Sequence, residues 1–408
     1  MKILVVTQYY WPENFRINDI VAGLYDKGHE VTVLTGMPNY PDGKFFDGYG
    51  FFGKNYENHG GVTVRRVPVI SRGAGGFVRL IANYISFVLF SVLLAPIYCR
   101  GKYDVIFVYE PSPVTVGIPA RLLGWMKKAP IFFWVQDLWP ESLVATKTTS
   151  NKYIIRIVRS LVGWIYNGCN QILIQSNSFS ESIKSFGIED SRIKYFPNSA
   201  EELYRPIANK DSRVPIDLPE GFIIMFAGNI GIAQDFSTIL SAAELTMNNK
   251  DIHWVIVGDG RQFNWLKKEI VTRGLENNFH LLGRYPIELM PEFFSRADVM
   301  LVSLKKEPIF SLTIPAKVQS YMACAKPIVA ALDGEGARTV EEADAGIAVG
   351  AESPNELASA VIKMAGLDMK ERTRMGKNAL EYYNNYFDRN ILINKLDDWM
   401  IDSIRKSH

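Results

Sequence analysis

Three cysteines in 408 residues, Cys99, Cys169 and Cys324, are too scattered for a disulfide framework and lack the CxxC spacing of a thiolate metal site. A reducing cytoplasm is the expected compartment. No His/Asp ligand cluster and no strand-end DxD occurs, and Asp397-Asp398 lies in a late helical pattern that reads as solvated, so neither a metal nor a cofactor is expected. The GxxxxGK[ST], HExxH and GxSxG patterns are absent, and no GxGxxG follows the first apolar run. Those absences remove P-loop ATPases, zincins, α/β-hydrolases and nicotinamide dehydrogenases. The run at 3–6 is followed by Gln, Tyr, Trp and Pro rather than small cleavage-site residues, so no signal peptide is expected.

Acidic residues are also missing in places. None lies between Glu57 and Asp104, none in 111–136 and none in 142–180. The chain as a whole is nearly neutral at +2, yet residues 1–200 carry 21 basic and 14 acidic side chains while 201–408 carry 24 and 29. The halves therefore have different partners. A hydrophobic content of 48% with 22% charged residues excludes wholesale disorder and a polytopic membrane protein. The basic stretches interleave with aliphatic rather than base-stacking residues, which argues against nucleic acid.

Short β-branched runs at 3–6, 30–34, 62–67, 105–109, 131–135 and 171–174 alternate with helical patterns, and the pattern restarts at 222–227, 254–257, 280–282, 299–302 and 328–331. This alternation predicts an α/β protein of two Rossmann-like domains facing across a cleft, with ligands beyond the carboxyl ends of the strands. The expected boundaries are 1–202, a linker at 203–219 containing three prolines, 220–380, and terminal helices at 381–408, one of which can cross back to the first domain.

Residues 80–99 carry no charge, and Pro96 is expected to end their helix near Ala95, short of a bilayer's thickness. A spanning segment would also part the flanking strands. The expectation is a helix lying on an anionic membrane surface, with Phe77, Arg79, Phe87 and Phe90 in contact with it.

Four segments in order resemble bacterial retaining glycosyltransferases of the GT-B fold, family four, in particular those of capsule and O-antigen assembly with N-acetyl-fucosamine-type donors. They are PENFRINDIVAGLYDKGHEVTVLTGMPNYPDGKFFDGY near the start, WVQDLWPES at 134–142, GNIGIAQDF at 228–236 and IPAKVQSYMACAKPIVAALDGEGAR at 314–338. The resemblance implies a UDP-type nucleotide-sugar bound by the second domain, a polyprenyl-diphosphate-linked saccharide acceptor bound by the first, no obligatory metal, and a place on the inner face of the cytoplasmic membrane. A nucleotide-sugar epimerase and a non-catalytic sugar-nucleotide-binding relative share the architecture.

Gly228 and Asn229 follow an apolar strand and precede a helical pattern, a place where backbone N–H groups can approach a phosphate. Relatives put Arg and Lys in this loop, whereas Asn229 and Gln234 stand here. The missing cation is expected from Lys317. The family's E-x7-E pattern is lost, with Leu312 and Ser320 at its positions, leaving Gln319 or Ser320 for the ribose. By resemblance the Arg284 loop lies against the base; Glu335, Gly336 and Arg338 form a Gly loop open to a sugar or phosphate. In the first domain Asp137 and Glu141, astride Trp139, are the candidates for acid/base work, and Asn14, Arg16 and Asn18 for acceptor binding, with Arg16 taking diphosphate charge.

Overall fold

A computed structural model describes residues 1–73, 76–145, 149, 151–208, 214 and 216–407. The chain folds as two units, Met1–Pro197 with Asn390–His408, and Asn198–Arg389.

The first unit contains β1 (Lys2–Val6), α1 (Ile17–Asp26), β2 (Glu30–Gly36), β3 (Tyr56–His59), β4 (Val62–Val67), α2 (Phe77–Tyr98), β5 (Val105–Glu110), α3 (Gly117–Lys127), β6 (Ile131–Val135), α4 (Glu141–Ala145), α5 (Lys152–Asn167), β7 (Gln171–Ile174), α6 (Ser180–Lys184) and β8 (Ile193–Tyr195). The strands order as β3-β4-β2-β1-β5-β6-β7-β8, all parallel except the β3–β4 hairpin. Parallel strands covered by helices are buried on both faces, and β5 and β6 are buried at every position.

The second unit contains β9 (Phe222–Ala227), α7 (Phe236–Thr246), β10 (Ile252–Val257), α8 (Phe263–Thr272), β11 (Phe279–Gly283), α9 (Met290–Arg296), β12 (Val299–Ser303), α10 (Pro308–Ser311), α11 (Ala316–Ala323), β13 (Ile328–Ala331), α12 (Glu335–Glu342), β14 (Gly346–Val349), α13 (Pro354–Gly366) and α14 (Met369–Tyr386). Its parallel sheet runs β11-β10-β9-β12-β13-β14. A last helix, α15 (Arg389–Ser407), belongs to the first unit, where Leu392, Leu396 and Met400 join Ile17, Leu24 and Phe107 in one core. In both sheets the order reverses beside the first strand, at β1/β5 and at β9/β12, and crevices beyond the strand ends form at such points.

Two expectations about chain organisation need correction. The stretch 203–219 is no bare connector. Among its described residues Tyr204 stacks on Phe294 with ring centroids 5.7 Å apart, and Leu218 is buried in the second unit's core, because these apolar side chains lose water there. Pro96 does not end α2, which runs on to Tyr98 and closes with Cys99 N–H donating to Ala95 O at 2.8 Å. Twenty-two residues reach about 33 Å. Length therefore does not exclude a span; topology does, since β4 and β5, the strands flanking α2, lie in one sheet.

The helix α2 is amphipathic in the inverse sense. Its buried face carries Asn83, Ser86, Phe87 and Ser91. Gln8 Nε2 donates to Asn83 Oδ1 at 2.7 Å, Asn83 Nδ2 to Ile70 O at 2.7 Å, and Ile70 N–H to Ser86 Oγ at 2.9 Å. Its exposed row is Val78, Ile81, Ile85, Leu89, Leu93 and Ile97, with Val78 80% and Ile85 61% exposed. Phe87, expected at a membrane, is fully buried instead, packed where a Cβ on Gly36 would lie 3.6 Å from its ring. Phe90 is half-buried, edge-on to Phe51 at 5.5 Å. Arg79 is exposed, and the side chain of Phe77 lies outside the described residues.

Candidate functional site

In the second unit the loop leaving β9 is shaped by what its glycines omit. Gly228 has φ +137°, and a Cβ there would sit 2.7 Å from Lys317 Cε, so the absent side chain is the room in which the lysine lies. Lys317 occupies the first turn of α11. Its Nζ donates to Gln234 Oε1 at 2.9 Å and stands 4.7 Å over the Phe226 ring centroid. Among the described residues no carboxylate pairs with it, and burial pushes its ammonium down to about 8. Asn229 lies across two further glycines, since Cβ atoms on Gly231 and Gly260 would each come within 2.6 Å of its amide. The structure thus gathers Gly228, Asn229, Gln234 and Lys317 at one strand end. A cation held by neutral partners is the arrangement a diphosphate can complete.

Other expected donor residues are placed differently. Gln319 is buried, and its Nε2 donates to Asn198 O at 2.7 Å. Ser320 is buried too, with its hydroxyl donating back to Ala316 O at 3.1 Å. Both lie on the run Val318–Ala323 that α11 packs into the core, and Gln319 Oε1 has no hydrogen-bond partner among the described residues. Glu335 is only 4% exposed and accepts from Arg338 at 2.6 Å, while Arg338 also pairs with Glu342. Gly336 serves packing, because a Cβ there would meet Pro315 and Leu332 at 2.9 Å. Arg284 is exposed beyond β11. Asp235 was missed by sequence reasoning. It is buried at φ +48° at the start of α7, and its Oδ2 lacks a hydrogen-bond partner among the described residues.

In the first unit two carboxylates, Glu110 and Asp137, meet at the ends of β5 and β6, with Glu141 following at the start of α4. Asp137 accepts a hydrogen bond from Ser142 Oγ, and burial, with the Glu141 charge adding, raises its carboxyl above the usual range. Glu110, unrecognised in the sequence, is fully buried; its Oε2 accepts the Asp137 N–H at 3.4 Å and its Oε1 has no partner among the described residues. Burial, and then the Asp137 charge, holds the Glu110 carboxyl well above its ordinary value. Glu141 is turned from this pair toward α6, where its Oε1 accepts from Ser182 Oγ at 2.8 Å. Among the described residues no group of three or more His, Cys, Asp or Glu is placed to hold a metal ion.

The loop after β1 is braced rather than open. Buried Glu13 accepts the N–H groups of Tyr10, Asn39 and Tyr40, and burial pushes its carboxyl up to about 7. Asn18 spends both ends of its amide on this loop, donating to Glu13 O at 2.8 Å and accepting Trp11 N–H at 3.1 Å, so it is not the free acceptor ligand expected. Asn14 is exposed and Arg16 half-buried at the head of α1. The cation that stands out here is Arg72, enclosed by Tyr9, Tyr40 and Tyr84.

Two family models match the chain, one described as "Glycosyl transferase 4-like domain" over residues 14–199 and one as "Glycosyl transferases group 1" over 209–382. The chain is 26% identical over 316 residues to the glycosyltransferase WbjE of Pseudomonas aeruginosa, covering 76% of this chain and 77% of that one. It is likewise 26% identical over 337 residues to WcaI of Escherichia coli K12, named as a colanic acid biosynthesis glycosyl transferase, covering 79% and 81%. Among solved structures it is similar to Anabaena HepE in complex with UDP, with a TM-score of 0.70 at 15% identity over 98% of this chain and 100% of that one. With one family model on each half and the paired parallel sheets that carry them, the chain belongs to the glycosyltransferases of the GT-B fold, family four.

Proposed function

We propose that this glycosyltransferase moves a sugar, an N-acetylated or deoxy hexose, from a UDP-type donor to a polyprenyl-diphosphate-linked saccharide at the inner face of the cytoplasmic membrane, in capsule, O-antigen or related polysaccharide assembly. The observation that carries the donor half is Lys317. It is a half-buried ammonium with no carboxylate partner among the described residues, laid along a glycine loop at the topological switch point of the second unit's sheet. A leaving diphosphate there gains the charge stabilisation that the lysine otherwise lacks. The UDP bound by HepE supports the same nucleotide class, and the names of WbjE and WcaI support glycosyl transfer, WcaI's in polysaccharide biosynthesis.

The reaction is read as retaining and metal-independent. The leaving diphosphate oxygen takes the proton of the acceptor hydroxyl on the face it departs from, so the protein's task is positioning and charge stabilisation. Asp137, whose carboxyl burial raises above its ordinary value, is the group in the first unit suited to holding an acceptor hydroxyl. Membrane association is supported by the aliphatic row of α2 together with exposed Trp125, Tyr153 and Ile157, and by exposed Arg100, Lys128, Lys152, Arg156 and Arg159. The test is a screen of nucleotide-sugars against a lipid-diphosphate acceptor, following nucleoside diphosphate release. Release that depends on the acceptor supports the reading, and release indifferent to every lipid-diphosphate acceptor overturns it.

A further inference from the structure

We infer that Arg72, with Arg79 beside it, forms the subsite for the diphosphate of an isoprenoid-type lipid, and that the aliphatic row of α2 receives the hydrocarbon attached to it. The inference rests on the lipid-diphosphate acceptor proposed above and names the residues that recognise it.

Arg72 follows β4 and lies over three phenol rings, its guanidinium carbon 5.1 Å from the Tyr40 ring centroid, 5.8 Å from Tyr9 and 6.0 Å from Tyr84. Stacking on ring faces fixes the plane of a guanidinium without consuming its N–H groups. The one side-chain hydrogen bond among the described residues is a long one, 3.4 Å from Nη2 to the Tyr84 hydroxyl. Its backbone is fixed as well, with the N–H donating to Asn39 Oδ1 at 3.0 Å. Glu13 acts electrostatically on Tyr9, and Asp137 on Tyr84. Neither carboxylate forms an ion pair with Arg72. The cation is therefore oriented and supplied with spare donors, and no described anion satisfies them.

Arg79 flanks the same segment. Its Nε donates to Ser71 O at 3.2 Å, and a Cβ on Gly73 would lie 2.8 Å from its Cδ and Nε. It too forms no ion pair among the described residues. A second guanidinium held on Ser71 and Gly73, the chain neighbours of Arg72, matches the spread charge of a diphosphate better than a single cation does. Burial raises the Tyr84 phenol above its ordinary value, so it stays protonated at neutral pH and can donate to a phosphate oxygen.

The continuation of the chain makes the ligand amphiphilic. Val78, immediately before Arg79, is the first member of the exposed row that continues through Ile81 and Ile85 to Ile97, about 28 Å of helix. An anionic group at the arginines thus lies where an apolar track begins.

The experiment measures binding of farnesyl diphosphate, farnesol and inorganic diphosphate to the full chain, with UDP as a donor-side control. Wild type is expected to bind farnesyl diphosphate more tightly than either partial ligand. Arg72→Gln is expected to weaken that binding by about tenfold to a hundredfold, the range of a charged hydrogen bond, with UDP binding unchanged. Arg72→Lys, which keeps the charge but loses the fork, is expected to fall between. Ile81→Ser with Ile85→Ser should weaken farnesyl diphosphate and leave inorganic diphosphate alone. If wild type binds farnesyl diphosphate and both Arg72 variants, folded by their Tm, bind it equally well, this subsite is wrong while the acceptor reading stands. If inorganic diphosphate binds as tightly as farnesyl diphosphate, the lipid assignment is overturned. If wild type binds UDP but no diphosphate lipid, the acceptor reading itself fails and this inference with it.

Discussion

Lys317 donates to a neutral oxygen, Gln234 Oε1, across 2.9 Å, so the ammonium at the end of β9 has a fixed position and, among the described residues, no neutralising carboxylate. Replacing it by Met should lower kcat/KM by about a hundredfold or more, the scale for one preorganised charge-stabilising group. Stability should move the other way. The folded-state value of about 8 lies below the unfolded lysine's, so the unfolded chain binds more protons between about 8 and 10.4 and wild-type stability rises with pH there. The Tm advantage of Lys317→Met should therefore be greatest at pH 7 and vanish near pH 10.5. Wild-type turnover in the variant, or parallel melting profiles, would remove this assignment.

Glu110 predicts the opposite slope. Its folded carboxyl holds its proton well above the usual carboxylate range, so its contribution is fully present below the unfolded value and is lost as pH rises toward the folded one. Glu110→Gln lacks that loss. Its Tm relative to wild type should climb between pH 5 and 8, and a constant difference over that range would show that the carboxyl is ionised throughout.

Glu335→Gln tests whether that carboxylate serves the fold or the donor. Buried and paired to Arg338, it should cost about 1–3 kcal/mol of stability when neutralised. Donor KM should change little. A normal Tm with a raised donor KM would return Glu335 to the sugar.

In the proposed reaction Lys317 is the cation that meets the diphosphate, and no described cluster offers metal ligands, so turnover should persist in excess EDTA and gain nothing from magnesium or manganese. Activity silenced by chelator and restored by either ion would contradict this.

Vesicle flotation separates the two faces of α2. Ile85→Ser with Leu89→Ser should abolish binding to anionic vesicles at unchanged Tm, whereas Phe87→Ser should unfold the unit, since Phe87 is fully buried. Binding by wild type should also weaken with salt as exposed charges are screened. Wild type that fails to float at low salt would end the membrane reading.

The strands were legible because parallel sheets bury unbroken β-branched runs, and β4, β6, β7, β9 and β13 begin and end where those runs do. The sequence left β3, β8 and β14 unread: β3 and β14 have four residues, β8 has three, all sit at or beside a sheet edge, and β3 alternates polar residues. That Lys317 opens a helix was legible from the Ile314-Pro315-Ala316 that precedes it. The burial of Gln319 and Ser320 was not legible, because one turn of helix decides whether a polar residue faces solvent or core, and α11 buries both. Glu110 went unnoticed because it ends a strand buried along its length. The orientation of α2 was written in the spacing of Asn83, Ser86, Phe87 and Ser91, one helical face; apolar content alone concealed it.

That inverted helix also governs how the molecule behaves away from lipid. Six aliphatic side chains along about 28 Å of helix have no covering partner among the described residues, and two copies in water can shield these rows against each other. Preparations without detergent should then self-associate as they are concentrated, and a melting temperature taken at one dilution would report assembly as well as folding.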